Sequence, residues 1–152
     1  VTKELGAALD DRVWRTLRAK VADIANHKVK VGWLDDGQEH DGITLAELAV
    51  IHEFGTENIP AREPMRRTFT EPEGVEENAK ICTRLARSLI NDKLEVEQAL
   101  GLLGAWGVSA VQRRIKMGLW PPLQPATVAA KGSSTPLIDT AALVNGLTWV
   151  VA

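Results

Sequence analysis

The chain has no tyrosine, two phenylalanines and a single cysteine, Cys82, in 152 residues. One thiol cannot close an internal bridge, so nothing points to a disulfide-stapled secreted scaffold. No apolar run approaches the length needed to cross a bilayer, and no membrane role is expected. The first residues, Val1-Thr2-Lys3-Glu4, lack the apolar core of a signal peptide. Neither sign of charge is in excess. Eighteen Lys and Arg stand against twenty Asp and Glu, a net charge of −2, so no global field points to nucleic acid or membrane. What is present is ordinary for a globular protein, with 45% apolar and 25% charged residues. The length suits one domain with a sizeable core. The unusual feature is five tryptophans, which need a place in that core.

The balanced total hides segregation. Between Lys3 and Lys30 lie seven basic and four acidic residues, whereas Leu34 to Ile59 holds seven acidic residues and no Lys or Arg. After Glu97 the one acid is Asp139, against Arg113, Arg114, Lys116 and Lys131. Such a chain is either randomly clustered or a bipolar subunit whose acidic side meets a neighbour's basic side.

Leu9, Val13, Leu17, Val21 and Ile24 recur at helical spacing and predict a helix over about 6–25 with that stripe inward. Lys28 to Trp33 alternates and predicts a half-buried strand with Val29, Val31 and Trp33 on one face. Residues 34–43, rich in Asp and Gly, read as a flexible loop or wide hairpin connection. Thr44 and Glu47 form a capping box opening a helix over 45–54, which Gly55 stops. Gly55 to Thr68 reads as irregular. A second capping box is expected at Thr70-Glu71-Pro72-Glu73, opening a helix that carries Ile81, Cys82, Leu85, Leu89 and Ile90 inward; Asn91-Asp92 marks a break or kink, with one continuous helix as the alternative.

The strongest helix runs over 94–117, with Val96, Ala99, Leu103, Trp106 and Ala110 on one stripe. Gly101, Gly104 and Gly107 interrupt it, each at about 1 kcal/mol relative to Ala, and form a groove for the close approach of another backbone. Residues 118–136 read as a second flexible loop, with a turn of helix at 125–130. Asp139 is expected to cap a short helix that Asn145-Gly146 ends. Leu147 to Val151 alternates and should pair with the first strand. The expected fold is therefore a single α+β domain over 1–152. It has a small antiparallel sheet packed against a long helix plus further helices, the N-terminal one occupying 1–26. Trp33, Trp106 and Trp149 should be buried together.

No catalytic constellation is legible. His52-Glu53 lacks the second His one turn on that a zinc site needs, since Thr56 stands there, and His27 and His40 have no partner at ligand spacing. Cys82 reads as a small core residue. Lys131-Gly132-Ser133-Ser134 reads as a connection, and the glycine series follows no strand, so it is no phosphate loop. No enzyme activity, metal or cofactor is expected. Arg12, Arg15 and Arg18 on one helix, and Arg113, Arg114 and Lys116 on another, leave open a small nucleic-acid-binding or regulatory module.

Three stretches in order carry a resemblance. They are Ala46-Glu47-Leu48-Ala49-Val50-Ile51-His52-Glu53-Phe54-Gly55-Thr56, then Ile59-Pro60-Ala61-Arg62, and Pro136-Leu137-Ile138-Asp139-Thr140 leading to Leu147-Thr148-Trp149. With the loop Trp120-Pro121-Pro122-Leu123 between them, the sequence resembles small neck and tail-completion proteins of tailed bacteriophages and prophages, a group with head–tail joining and virion-morphogenesis proteins. It departs from their pattern at Glu63-Pro64, where Pro then Phe is usual, and at Ala141, where Gly is usual. The resemblance implies a non-enzymatic α+β subunit of the virion neck or tail, present in host cytoplasm before assembly. Its partners would be further copies of itself in a ring and neighbouring neck or tail proteins. DNA would pass through the lumen without specific binding.

Assembly is expected through the Gly55–Phe69 segment, restricted by Pro60 and Pro64 and charged by Arg62, Arg66 and Arg67. The expected interface residues are Phe54, Gly55, Thr56, Pro60, Arg62, Arg66, Arg67, Phe69 and Trp120. Two readings of the three arginines stand: partners on a neighbouring copy, or ion pairs within their own chain.

Overall fold

Helix formation in the longest apolar-periodic stretch organises everything else. A computed structural model describes residues 11–34, 39–40, 42–120, 122, 129 and 141–152. Its elements are α1 (Asp11–Ala25), β1 (Val29–Gly32), β2 (Glu39–His40), β3 (Ile43–Thr44), α2 (Leu45–Phe54), α3 (Pro64–Thr70), α4 (Pro72–Ile90), α5 (Val96–Lys116), α6 (Ala142–Asn145) and β4 (Thr148–Val151). The mixed fold matches the expected class: a two-stranded antiparallel sheet lies on the long helix, α5. Leu9, residues 35–38, Asp139 and the expected turn of helix at 125–130 apart from Ala129 lie outside the described residues.

β1 pairs with β4 in the register Val29↔Val151, Lys30↔Val150, Val31↔Trp149 and Gly32↔Thr148. That register puts Val31 and Trp149 side by side on the face toward α5. The glycines of α5 receive them. A Cβ on Gly104 would lie 2.7 Å from Trp149 Cδ2, one on Gly101 3.2 Å from its Cη2, and one on Gly107 3.0 Å from Val31 Cγ2. The groove thus admits side chains of the sheet, and not another backbone as its spacing suggested.

Two apolar clusters occupy different faces of α5. Val111, Ile115, Ala49, Leu143, Val144, Leu147 and Trp120 form the first, with Trp33 packed against it. Ile81, Leu85, Leu89, Val96 and Ala99 form the second, with Trp106 and Ile24 against it. Trp33, Trp106 and Trp149 are therefore not buried together. Trp33 donates from Nε1 to Leu143 O at 2.6 Å, Trp106 meets Phe69 with ring centroids 6.1 Å apart, and Trp149 stays 39% exposed over the glycines.

Four further expectations are corrected. The segment after Gly55 is irregular only to Glu63, because Pro64 suits the first position of a helix and α3 follows. No capping box forms at Thr70. Pro72 pushes Glu71 to extended backbone (φ −69°, ψ 149°), so Glu71 is the cap, while Thr70 belongs to α3 and its hydroxyl donates to Arg66 O. Cys82 and Ile90 are exposed, because the stripe Ile81, Leu85 and Leu89 already faces the core and each sits one residue off it. In α1, only Leu17, Lys20 and Ile24 turn toward the body, and Val13 and Val21 are exposed.

Short-range chemistry fixes the ends. Thr44 and Glu47 make the expected box, with Glu47 N donating to Thr44 Oγ1 at 3.2 Å and Thr44 N to Glu47 Oε2 at 2.9 Å. The Thr44 N–H, and the Thr44 hydroxyl that also donates to Glu47 Oε2 at 2.9 Å, hold the Glu47 carboxyl below its ordinary pKa, the N–H more than the hydroxyl. α4 stops at Asn91 as expected, and Lys20 donates to its terminal Leu89 O at 2.8 Å and to Asp92 at 2.5 Å. α6 has Ala141 as its N-cap with no side-chain bond.

Candidate functional site

The expected assembly segment begins at a fixed point, the end of α2. Gly55 caps that helix at φ 74°, a left-handed value that glycine adopts freely, and its N–H donates to Ile51 O at 2.8 Å. The space is also closed to a side chain, since a Cβ would fall 2.7 Å from Ala61 N. A small turn follows, in which Thr56 N donates to Ile59 O at 2.8 Å and Ile59 N to Thr56 Oγ1 at 3.1 Å. The chain then doubles back. Arg62 N and Glu63 N both donate to His52 O, at 2.8 and 3.2 Å.

Glu63 is the N-cap of α3 in left-handed backbone, φ 54°, and its side chain makes no capping bond. Glu53 of α2 replaces it. Its carboxylate accepts Met65 N at 2.9 Å and Arg66 N at 2.8 Å, capping α3 from another helix. His52 and Glu53, which invited a metal reading, thus pin the segment to α2 from its backbone carbonyl and side chain respectively.

The three arginines do not form a free positive patch. Arg62 is 2% exposed. Its guanidinium donates to His52 Nδ1 at 3.1 Å, which makes that nitrogen an acceptor, and its Nε has no partner among the described residues. Burial pushes its pKa down. Arg66 pairs with Glu63 at 2.6 Å and Arg67 with the same carboxylate at 3.5 Å. Of the two readings, ion pairs within the chain account for Arg66 and Arg67, and burial accounts for Arg62.

The remaining expected interface residues divide in two. Phe69 lies between the apolar clusters, and Trp120 is 8% exposed with its indole N–H donating to Ile115 O at 3.2 Å. Both serve the subunit's own core. Phe54, Thr56 and Pro60 stand at the surface, with Gly55 half-buried between them. Phe54, at 76% exposure, is the most exposed large apolar residue described.

The arginines of α5 are also engaged. Arg113 pairs with Glu77 at 3.0 Å and ties α5 to α4, while Arg114 bonds Glu71 and reaches Arg67 O, tying α5 to α3 and its junction with α4. A different basic surface exists on the outer face of α4. There a groove of about 600 Å³ is lined by Lys80, Arg84, Arg87 and Lys93, with Thr83 and Ser88 between them. Lys80 pairs with Glu76, which raises the lysine's pKa and lowers the carboxyl's through their hydrogen bond. Arg84, Arg87 and Lys93 form no ion pair among the described residues. Sequence reasoning missed this face, although Lys80, Arg84 and Arg87 recur at four and three residues.

Among the described residues, no three His, Cys, Asp or Glu side chains are grouped to hold a metal ion, and no helix is long and apolar enough to cross a membrane. No protein family, curated protein or solved structure matches the chain.

Proposed function

We propose that this chain is a non-enzymatic structural subunit of a tailed phage or prophage, a neck or tail-completion protein that oligomerises at the head–tail junction or the tail end. The observation that carries the reading is the surface segment from Phe54 to Arg67. It is pinned by two backbone bonds to His52 O, by the Glu53 carboxylate and by the buried Arg62. What it presents outward includes a phenyl ring, a threonine and a proline, beside the charged Glu57 and Arg66. A surface ordered in advance loses little entropy on docking, which is what an assembly element needs. The sequence resemblance supplies the setting: a ring of identical copies, neighbouring neck or tail proteins, and location in the virion after assembly in host cytoplasm.

The test is deletion of the gene in the strain that carries it. Heads and tails should accumulate unjoined, or tails should lack their end, and the protein restored in trans should rescue infectious particles. Normal infectious particles from the deletion strain would overturn the reading.

The second reading, a nucleic-acid-binding or regulatory module, is favoured by the α4 groove, where cations face solvent in a row. It requires binding to duplex or single-stranded DNA that weakens steeply with salt and with Arg84→Glu plus Arg87→Glu.

A further inference from the structure

Two helices expose apolar side chains on their outer faces, and the charges beside them have opposite sign. On α1, Trp14 is 48% and Val21 58% exposed, and Arg18 and Ala25 complete the same outward stripe. On α2, Val50 is 56% and Phe54 76% exposed, and Glu47 shares their face with Glu57 just beyond. Isolated exposed apolar residues need no explanation, but two aligned stripes at helical spacing do.

The stripes match in spacing. Arg18, Val21 and Ala25 follow one another at three and four residues, as do Glu47, Val50 and Phe54. Along a helix those steps are about 4.5 and about 6 Å. Laid parallel, they set Arg18 against Glu47, Val21 on Val50, and the Phe54 ring over the small Ala25. Arg18 forms no ion pair among the described residues, so its charge is available. Within one subunit both stripes stay exposed, so neither covers the other.

We infer that the α1 stripe of one copy docks on the α2 stripe of the next, in a head-to-tail contact between different surfaces. This rests on the oligomerising role proposed above and names its surface. A contact of this kind joins subunits into a closed ring or an open filament, and cannot stop at a symmetric dimer. It also gives α1, which leans on the body mainly through Leu17, Lys20 and Ile24, a second partner.

Complementation of two variants tests it. One carries Trp14→Glu with Val21→Glu, the other Val50→Lys with Phe54→Lys. All four positions are exposed, so circular dichroism and thermal unfolding should show native folds. By light scattering and sedimentation the wild type should grow in mass with concentration, and each variant alone should stay monomeric. An equimolar mixture retains one good α1 face and one good α2 face. It should double the monomer mass and go no further. Assembly of either variant alone, or a mixture that stays monomeric while the wild type assembles, overturns this contact and leaves the oligomerising role standing. A wild type that stays monomeric to millimolar concentration, alone and on phage particles that lack it, overturns both.

Discussion

Gly104→Ala isolates the fit between sheet and long helix. The added methyl would lie 2.7 to 2.9 Å from Cδ2, Cγ and Cε3 of Trp149. These atoms sit at or next to the root of the indole, so swinging a ring tip aside does not relieve them, and the whole ring must lift from α5. Overpacking of this kind costs about 1–3 kcal/mol, while Ala gains about 1 kcal/mol over Gly in a helix, which leaves a net loss of about 1 kcal/mol. With Trp149→Ala the obstacle is gone and the same substitution should stabilise by about 1 kcal/mol. The sign therefore reverses, and the coupling between the positions is about 2 kcal/mol. Urea unfolding followed by far-ultraviolet circular dichroism measures all four proteins without relying on the indole signal. Gly101→Ala serves as control, because its methyl meets only the ring's far edge at 3.2 Å. Stabilisation by Gly104→Ala in the wild type, or equal effects in both backgrounds, would refute the assigned packing.

Two further outcomes follow from the segment after Gly55 and the helix before it. Glu53→Ala removes both acceptors from the start of α3 and should cost about 2 kcal/mol by urea unfolding, with Glu53→Gln intermediate because its amide can accept only one of the two N–H groups. The Glu47 carboxyl has a folded pKa below its ordinary 4.5, so its contribution is fully present above that value and is lost as pH falls through the folded pKa. The stability advantage of wild type over Glu47→Gln should accordingly shrink between neutral pH and about pH 3, and an advantage that grows on acidification would contradict the capping geometry.

Local patterns carried most of the fold. The α2 boundaries, its capping box, the break after Ile90 and the pairing of the two outer strands were legible because each depends on residues a few positions apart or on strict alternation. The errors arose where a competing residue or a distant partner decided. Ile81 beside Cys82 took the inward position, and Pro72 displaced the expected cap by one residue. The cap of α3 comes from Glu53, a helix away, and no spacing rule reveals it. The tight junction between α3 and α4 also depends on a distant approach: a Cβ on Gly74 would lie 1.8 Å from Thr68 O. In α1 the periodic stripe was real, but periodicity gives a face and not a neighbour. Only Leu17 and Ile24 of that stripe found one within the described residues.

The same distinction governs the charges. Segregation along the chain is not segregation on the surface, because folding pairs opposite charges from distant segments. Glu63 takes Arg66 and Arg67, Glu77 takes Arg113, and Glu71 takes Arg114. Arg62 is withdrawn into the interior, and Glu53 is consumed as a helix cap. Among the described residues, Arg18 stands exposed on α1 and Glu47 and Glu57 on and beyond α2, each beside exposed apolar groups, while Lys28 and Lys30 are exposed at the sheet. In the proposed contact the poles of the subunit are these two helix faces and not an arginine loop facing an acidic one. Exposed ion pairs alone contribute little, about 0–1 kcal/mol. The binding energy of such a contact must come from Trp14, Val21, Val50 and Phe54, with Arg18 and the glutamates selecting which face meets which.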